Sequence, residues 1–307
     1  MQIIHNTSFA VKALQPGEVL LLENLRFHSG EKAGDAAFAG KLAAYGTVYV
    51  NDAFGTAHRK DASMVAVPNT MNGPKAAGLL LAKELSFLSD HLESPEKPYV
   101  VVLGGAKVAD KIPVIEHLMP KAQEVLIGGA MSYTFLAALG RHVGASKVEK
   151  ERLADAKRMI DLAGRLDADL VLPQDHVCSD RFAATGGKVE VFDDAIGEGF
   201  MGLDIGPKTQ MDFMMRLKKA KTIVWNGPMG VFEWTPYAVG TRSIASAVAG
   251  ATAENGAVSV VGGGDSAAAA ERFGVADKVS HVSTGGGASL ELLAGGEFDS
   301  VKLLDNA

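Results

Sequence analysis

The chain has 307 residues, of which 47% are hydrophobic and 21% charged, and its formal net charge at pH 7 is −6. This composition is ordinary for a globular protein, and the length leaves room for two domains. The negative charge gives no reason to expect a nucleic acid or an anionic membrane as partner, and no apolar run approaches the roughly 20 residues of a membrane helix. Cys178 is the only cysteine, so no internal disulfide can form and a reducing, cytoplasmic location is expected.

Short apolar runs rich in β-branched residues alternate along the chain with longer segments of helical period. We predict strands at 18–25, 46–52, 99–105, 124–129, 168–173, 221–227, 257–264 and 280–287, with a further candidate at 63–68. We predict helices near 33–45, 109–119, 131–139, 148–165, 208–219, 238–250 and 266–273. Unbroken apolar strands that alternate with helices indicate an α/β protein in which helices cover both faces of parallel sheets.

The segment 75–94, KAAGLLLAKELSFLSDHLES, has a long helical pattern between two stretches rich in turn residues. We interpret it as a helix that links a partial N-terminal domain, 1–74, to a larger domain, 95–290. The tail 291–307 is expected to return to the first domain. Only two convincing parallel strands precede the linker, and so short a sheet would have uncovered edges and faces, so we expect further elements ahead of Met1.

Four strands of the larger domain end in glycine, at Gly104–Gly105, Gly128–Gly129, Gly262–Gly264 and Gly285–Gly287. The carboxyl ends of parallel strands line the ligand crevice of an open sheet, and glycine there lets backbone N–H groups approach a phosphate. One cluster alone is typical of a simple turn. Four at one edge of a sheet predict a site for an anionic ligand.

Lys107 and Lys111 follow the first of these clusters, in VVLGGAKVADK, where we expect the first turns of a helix. Like charges four residues apart repel on a helix, and cations in its first turn oppose its dipole. Because a bound anion would relieve both penalties, we interpret the two lysines as a phosphate site rather than as solvated surface residues. Asp265, in GGGDSA, can be either a helix N-cap or a ligand for Mg²⁺ bridged to phosphates.

Other motifs exclude or weaken competing functions. The chain has no G-x-x-x-x-G-K-[ST], so it is not a P-loop protein. GGGDSA matches G-x-G-x-x-A, but the next strand offers no acidic residue for a ribose, which leaves a dinucleotide fold as a weaker alternative. The spacing of His28, His58, His176 and Cys178 fits no zinc site, and we interpret His176 and Cys178 as structural.

Six longer runs carry a family resemblance. They are LLLENLRFHSGE (20–31), VNDAFGTAHR (50–59), VVLGGAKVADKI (101–112), IVWNGPMGVFE (223–233), VVGGGDSAAA (260–269) and DKVSHVSTGGGASLELL (277–293). From about residue 12 onward the chain resembles the phosphoglycerate kinase family. The resemblance implies a two-domain, Rossmann-like fold and a glycolytic enzyme that transfers a phosphoryl group reversibly between ATP and 3-phosphoglycerate with Mg²⁺. It also implies a cytoplasmic monomer with no nucleic-acid or membrane partner.

The resemblance assigns roles to individual residues. Lys107 and Lys111 would contact the nucleotide phosphates and the transferring group, and Arg26 and Arg59 would bind the phosphoglycerate. Asp265 would position Mg²⁺. In the implied nucleotide site, Glu233 would bind the ribose, and Gly128 and Gly129 would lie near the adenine. The Thr284–Gly287 turn would offer backbone donors. The residues of this site are Lys111, Gly128, Gly129, Asn226, Pro228, Glu233, Gly263, Gly264, Asp265, Ser266, Gly285 and Gly286.

The chain departs from the family pattern in two places. After TAHR it reads Lys60–Asp61, where the family usually has a small residue and a histidine. The family also opens with strand–helix units that carry Asp-x-Asn, an arginine and His-Leu-Gly-Arg, and these are absent here. Two hypotheses stand: a phosphoglycerate kinase whose sequence lacks its N-terminus, or a short nucleotide-binding relative with a binding or regulatory role and little or no kinase activity. For the chain as given, we expect MgATP or MgADP to bind and the phosphoglycerate kinase activity to be low or absent.

Overall fold

The computed structural model describes the backbone of residues 2–305 and the side chains of residues 7–305. The chain separates into two compact units. The smaller unit comprises Met1–Lys83 and Glu297–Ala307, and the larger unit comprises Glu84–Gly296. In the described part of the chain, no helix combines the length and the apolar character needed to cross a membrane.

Strands and helices alternate over most of the chain. The strands are β1 Tyr49–Asn51, β2 Lys75–Ala77, β3 Tyr99–Leu103, β4 Glu124–Ile127, β5 Asp169–Val171, β6 Asp175–Ser179, β7 Val189–Asp193, β8 Met201–Ile205, β9 Thr222–Asn226, β10 Val258–Val261 and β11 His281–Val282. The α-helices are α1 Gln2–Ala13, α2 Ser29–Lys32, α3 Ala36–Ala43, α4 Val67–Thr70, α5 Leu79–Leu85, α6 His91–Glu93, α7 Ile112–Leu118, α8 Ser132–Ala138, α9 Leu153–Leu166, α10 Pro207–Leu217, α11 Val239–Asn255, α12 Gly264–Arg272, α13 Gly287–Leu293 and α14 Asp299–Lys302. Short 3₁₀ turns occur at Leu25–Phe27, Phe54–Thr56, Lys150–Arg152, Thr235–Tyr237 and Ala276–Lys278, and π-helical turns at Ala62–Ala66 and Ser86–Asp90.

The smaller unit contains one two-stranded parallel sheet, in which Tyr49 of β1 is opposite Lys75 of β2. The C-terminal residues pack onto this unit: the backbone N–H and C=O of Lys75 pair with Asp305. The hydroxyl of Ser300 donates to the carbonyl of Ala57 at 2.7 Å. Residues 297–305 are therefore fixed to the rest of the smaller unit by hydrogen bonds at two places.

Two strands predicted in the smaller unit are wrong. Residues 18–24 are irregular, and Val19 and Leu21 are more than 90% exposed. No strand in the described residues lies beside this segment, so its backbone has no ladder in which to pair. The candidate strand at 63–68 is helical instead, because Val67 and Met71 pack with Ala39 and Ala62 at helical spacing in a small core.

The larger unit is built on a six-stranded parallel sheet in the order β11-β10-β9-β3-β4-β5. All six strands were predicted from the sequence, and the α/β prediction is confirmed. In chain order, this arrangement reads 6-5-4-1-2-3, which is the doubly wound order of nucleotide-binding folds. The order reverses between β3 and β9, and open sheets of this kind bind ligands outside the carboxyl ends of the strands at such a point.

A large core cluster lies on one face of this sheet. It joins inward-facing strand residues such as Val102, Leu126 and Trp225 to apolar residues of α10, α11 and α12, among them Phe213 and Ile244. All of these side chains are fully buried. The continuous apolar strands of the sequence are explained by this packing, because helices cover both faces of a parallel sheet.

A second, antiparallel sheet with the order β7-β6-β8 was not predicted. Its central strand contains the buried polar residues Asp175 and His176. The Asp175 carboxylate accepts hydrogen bonds from the N–H groups of Lys208 and Thr209 at 2.8 Å, about 33 residues away in sequence. Such a distant partner leaves no local pattern. Cys178 is fully buried on the same strand, and burial raises the pKa of its thiol to about 12, which fits the structural interpretation.

The predicted linker at 75–94 is not a single helix. It begins with β2 and continues through α5, the π-helical turn Ser86–Asp90 and α6. The boundary between the two units falls inside it, between Lys83 and Glu84. Residues 75–77 pair with β1, and this sheet pairing keeps the start of the segment out of the helix.

Candidate functional site

Lys111 and Asn226 meet at the point where the strand order of the large sheet reverses. The loop Gly104–Lys111 leaves β3, and Asn226 is the last residue of its neighbour β9. The ammonium of Lys111 donates a hydrogen bond to Asn226 Oδ1, and Asn226 Nδ2 donates to the carbonyl of Gly262 at 2.7 Å. A cation is thus held across the ends of three adjacent strands.

Lys111 is only 9% exposed. Burial lowers the pKa of its ammonium to about 8, an effect partly offset by the nearby carboxylates of Asp110 and Asp265. Its one hydrogen-bond partner among the described residues is a neutral amide, which does not compensate a buried positive charge. An anionic ligand placed here would therefore be bound favourably.

The expectation that Lys107 and Lys111 lie on a helix is wrong. Helix α7 begins at Ile112, and Lys111 is its N-cap. The preceding loop is held by Glu149, whose carboxylate accepts hydrogen bonds from the N–H groups of Val108 at 2.8 Å and Ala109 at 3.5 Å. The protein's own carboxylate therefore occupies two backbone donors of this loop, while the Lys107 side chain is exposed.

Several glycines at this edge are required by close packing of backbone against backbone. Gly227 has φ of 101°, and a Cβ there would overlap the carbonyl group of Gly104. Gly129 has φ of 65°, and a Cβ there would lie 2.5 Å from the N–H nitrogen of Gly105. The loops after β3, β4 and β9 are thereby pressed together, so the glycine clusters do lie at one edge of the sheet, as predicted.

Helix α12 starts directly after β10. Gly263 is its N-cap with φ of 92°, so Asp265 lies in the first turn and is not the N-cap. The Asp265 side chain is exposed, whereas Ser266 is buried and its hydroxyl accepts a hydrogen bond from Gly227 N–H at 2.6 Å. Ser266 therefore fixes the loop after β9, and Asp265 remains available to a ligand.

A cavity of about 540 Å³ opens beside these loops in the larger unit, a volume within the range of small-molecule sites. Four residues of the predicted nucleotide site line it: Gly129, Pro228, Glu233 and Asp265. The remaining lining residues are Gly105, Ala106, Ala130, Tyr133, Ala145, Lys147, Phe182, Met201, Gly202, Leu203, Met229, Gly230 and Val231. The cavity thus combines apolar walls with a few polar groups, as ligand sites commonly do.

The turn after β11 is partly committed to internal contacts. The N–H and hydroxyl of Thr284 both donate to Glu84 Oε1, at 2.8 and 2.9 Å. His281 contacts the other oxygen of Glu84 at 2.8 Å. The pKa of Glu84 is lowered: burial alone would raise it, but the hydrogen bonds from His281 and Thr284 outweigh burial. Gly285 N–H donates to Ser283 Oγ at 3.1 Å, whereas the N–H of Gly286 has no partner among the described residues.

In the smaller unit, Arg26 forms an ion pair with Asp61, with 2.8 Å between Nη2 and Oδ2. Asn24 caps the 3₁₀ turn that carries Arg26, since its side chain accepts the Arg26 N–H. The side chain of Arg59 has no hydrogen bond or ion pair with any described residue. Of the two predicted substrate arginines, one is therefore held by a carboxylate and the other is available.

A metal site formed by protein side chains alone is absent from the described residues, since no three His, Cys, Asp or Glu side chains gather to form one. Mg²⁺ does not require such a cage, because it commonly binds through one or two carboxylates, water and substrate phosphates. Asp265 on the cavity wall fits that manner of binding.

The model of the family "Phosphoglycerate kinase" matches residues 2–296. The chain belongs to this family. It is 53% identical to a phosphoglycerate kinase of Rhodopirellula baltica over 305 residues, covering 98% of this chain and 75% of the relative. It is 52% identical to that of Thermosipho africanus, covering 96% of this chain and 73% of the relative. The family membership makes the chain a phosphotransferase.

Solved structures of the phosphoglycerate kinase family have the same fold. The enzyme from Coxiella burnetii matches with a TM-score of 0.89 at 40% identity, covering 95% of this chain and 75% of that one. The enzyme from Pyrococcus horikoshii matches with a TM-score of 0.82 at 32% identity, covering 97% and 75%. The Rossmann-like fold expected from the resemblance is confirmed.

Sequence reasoning missed two residues beside the lysine loop and the cavity. Glu149 holds the lysine loop from about 40 positions away, and Lys147 lines the cavity. Both lie in GASKVEKE, a segment that reads as an ordinary polar loop before a helix. No local signal in the sequence marks either residue.

Proposed function

We propose that the larger unit binds MgATP or MgADP at the reversal point of its sheet, within a reversible phosphoryl transfer to and from 3-phosphoglycerate. The observation that carries this proposal is the buried ammonium of Lys111, which has only an amide as partner and lies at the edge of the sheet where such folds bind phosphates. The adjacent cavity has the volume and the apolar walls that suit a nucleoside.

The residues present are suited to phosphoryl transfer without a general base. The acceptor is a carboxylate in one direction and an ADP phosphate oxygen in the other, and both are already ionised. Catalysis then depends on position and on neutralising charge. Lys111 supplies a fixed charge, and the exposed Lys107, in a loop that Glu149 holds, supplies a second charge that can follow the transferring group.

Mg²⁺ supplies charge neutralisation to the nucleotide phosphates when it is bound. Asp265 would hold it, because its carboxylate is exposed on the cavity wall and its own helix does not need it as a cap. Glu233 lines the same cavity and would accept hydrogen bonds from the ribose hydroxyls. Gly263 and Gly264 open α12, whose N-terminus favours negative charge.

The smaller unit would bind 3-phosphoglycerate through Arg26 and Arg59. Guanidinium groups match the geometry of carboxylates and phosphates. The pairing of Arg26 with Asp61 supports an anion site, since this arginine already binds a carboxylate. We further propose a cytoplasmic monomer whose ligands are small molecules and not nucleic acids.

Calorimetric titration with MgADP tests the nucleotide half of this proposal without requiring turnover. We expect the wild-type chain to bind, and we expect Lys111→Met and Asp265→Asn each to weaken binding by about 1.5–3 kcal/mol, as for hydrogen bonds to charged groups. Asp277→Asn removes an exposed carboxylate from a 3₁₀ turn of the same unit and should change nothing. A folded wild-type chain that bound no nucleotide would contradict the proposal.

A coupled assay with 3-phosphoglycerate and MgATP tests the transfer itself. Turnover that disappears in Lys107→Met, while MgADP affinity is retained, is the expected result for a lysine that acts on the transferring group. The alternative of a nucleotide-binding relative with a regulatory role predicts binding by the wild-type chain with no turnover. The family membership favours the enzyme.

A further inference from the structure

Lys147 is the one lysine or arginine among the residues that line the 540 Å³ cavity. Its side chain is exposed and has no hydrogen bond or ion pair with any described residue. The two carboxylates of the lining, Glu233 and Asp265, are not its partners. A cation left unpaired on a cavity wall is available to an occupant of that cavity.

The position of Lys147 is fixed by hydrogen bonds between the two residues before it and the start of β8. Ala145 N–H donates to the carbonyl of Phe200 at 2.7 Å, and Gly202 N–H donates to Ser146 Oγ at 2.9 Å. Tyr133 closes the wall behind them, since a Cβ at Gly202 would overlap its hydroxyl. Lys147 therefore extends from a well-anchored segment that belongs to the wall of the cavity.

This wall is the part of the cavity that suits a purine base, an assignment that rests on the proposed nucleotide function. The phosphates are drawn to Lys111 and to the Mg²⁺ that Asp265 would hold, and the ribose is matched by Glu233. The walls that remain are apolar and include Tyr133, Met201, Leu203 and Met229. Because a planar base buries its faces against such walls, its polar edge is what an ammonium there would contact.

We propose that Lys147 is a residue that determines base specificity, and that its ammonium favours 6-oxopurines, guanine or hypoxanthine, relative to adenine. A lysine ammonium donates three hydrogen bonds and accepts none. Guanine presents O6 and N7 as adjacent acceptors, whereas adenine presents N7 beside an amino group that is itself a donor. The ammonium therefore binds the edge of a 6-oxopurine and meets an unfavourable donor on adenine.

Calorimetric titrations with MgADP, MgGDP and MgIDP test this proposal. The inosine nucleotide shares O6 and N7 with guanosine but lacks its 2-amino group, so it isolates the edge that Lys147 would read. In Lys147→Met, which keeps the length of the side chain and removes the charge, we expect the affinity for GDP and IDP to fall by about 5–10-fold, at the low end for a good base contact because the site is open. The affinity for ADP should be unchanged or slightly higher.

Lys150→Met is the matched control, because Lys150 is an exposed lysine of the same segment that does not line the cavity. It should leave all three affinities unchanged, and thermal unfolding should show that both variants are folded. An equal loss for all three nucleotides in Lys147→Met would place the ammonium on the phosphates and overturn the proposal, as would no change for any of them. Absence of binding by the wild-type chain would instead overturn the proposed nucleotide function on which it rests.

Discussion

The carboxylate of Glu149 accepts a hydrogen bond of 2.8 Å from the backbone N–H of Val108, in the middle of the loop that carries Lys107 and Lys111. The second carboxylate oxygen contacts the N–H of Ala109 at 3.5 Å. Glu149 N–H in turn donates to Thr134 Oγ1 at 3.0 Å, so its own backbone is fixed to α8. The conformation of the lysine loop therefore depends on a residue that touches neither lysine.

Replacing Glu149 tests this dependence. Glu149→Ala should lower stability by about 1.5–3 kcal/mol, because two backbone donors lose a charged partner. It should also weaken MgADP binding, since the loop that positions both lysines is released. Glu149→Gln retains one acceptor oxygen, so its stability and affinity should lie between those of the wild type and Glu149→Ala. Glu151 is an exposed acid in the same segment, and Glu151→Ala should match the wild type. Urea denaturation measures the stability, and calorimetry measures the affinity for MgADP. A Glu149→Ala variant with wild-type affinity would show that the lysine loop does not depend on Glu149.

Lys111 predicts that nucleotide binding is linked to protons. Burial lowers the pKa of its ammonium to about 8 in the free protein, and phosphate close to it would raise that pKa again. The protein should therefore take up protons when it binds MgADP at pH 8–9. Its affinity for MgADP should fall as the pH rises through this range. Calorimetry in buffers with different heats of ionisation measures the uptake. Lys111→Met should show none, and equal uptake by both proteins would assign the proton to another group.

The same pKa has an effect on stability with a definite sign. Because the folded-state pKa of Lys111 lies below the ordinary lysine value of 10.5, the unfolded chain binds more protons between about pH 8 and that value. The contribution of Lys111 to stability is therefore present above this window and is lost as the pH falls through about 8. Comparing urea denaturation of the wild type and Lys111→Met at pH 7 and at pH 10 checks the sign.

Asp61 predicts competition at the proposed phosphoglycerate site. Its carboxylate holds Arg26, so an anionic substrate must compete for the same guanidinium. Asp61→Asn should therefore tighten 3-phosphoglycerate binding, by about 2–5-fold, because the Arg26 side chain is 38% exposed and a partly exposed ion pair is weak. Asp299→Asn, which breaks the exposed pair with Lys60, should have no effect. Weaker binding by Asp61→Asn would mean that Asp61 orients Arg26 for the substrate.

The large sheet was predictable because its strands are continuous apolar runs whose partners are all equivalent parallel strands. The antiparallel sheet was not, since the buried charge of Asp175 is balanced by Thr209 and Lys208, which are remote in sequence. The strand predicted at 18–25 is wrong for a different reason, since here the local pattern is present and the partner strand is missing from the described residues. Its residues favour a strand, but a strand requires a neighbour, and a single segment does not reveal whether it has one.

In the site, too, features set by local sequence were predicted and those set by remote contacts were not. Residues in contiguous motifs, such as Asp265 and Glu233, were found because the motif itself carries the chemistry, and both line the cavity. Their roles toward a ligand remain predictions. The helical argument for Lys107 and Lys111 was wrong about the helix, because α7 starts only at Ile112. The Asn226 amide as partner of Lys111 depends on the alignment of β3 with β9, which no spacing along the chain expresses.

Gly227 is required by the packing of the backbone, whereas Gly250 is a position that other residues could occupy. The φ of 101° at Gly227 is unfavourable for any side chain, and a Cβ there would overlap the backbone of Gly104 across the reversal point. Gly227→Ala should therefore cost about 2–5 kcal/mol, the sum of backbone strain and overpacking. Gly250 lies within α11, where an added Cβ would meet nothing within 4 Å, and Gly250→Ala should stabilise by about 0.5–1 kcal/mol.

Urea denaturation followed by tryptophan fluorescence measures both glycine variants in the unit concerned, because Trp225 and Trp234 are the two tryptophans of the chain and both lie in the larger unit. Trp225 is especially informative, since its indole N–H donates to the carbonyl of Gly227 at 2.9 Å. A change at Gly227 should therefore alter the fluorescence of the folded state as well as the midpoint. If Gly227→Ala were as stable as Gly250→Ala, the loops after β3 and β9 could separate without cost, and the fixed geometry that holds Lys111 against Asn226 would not be required for the fold.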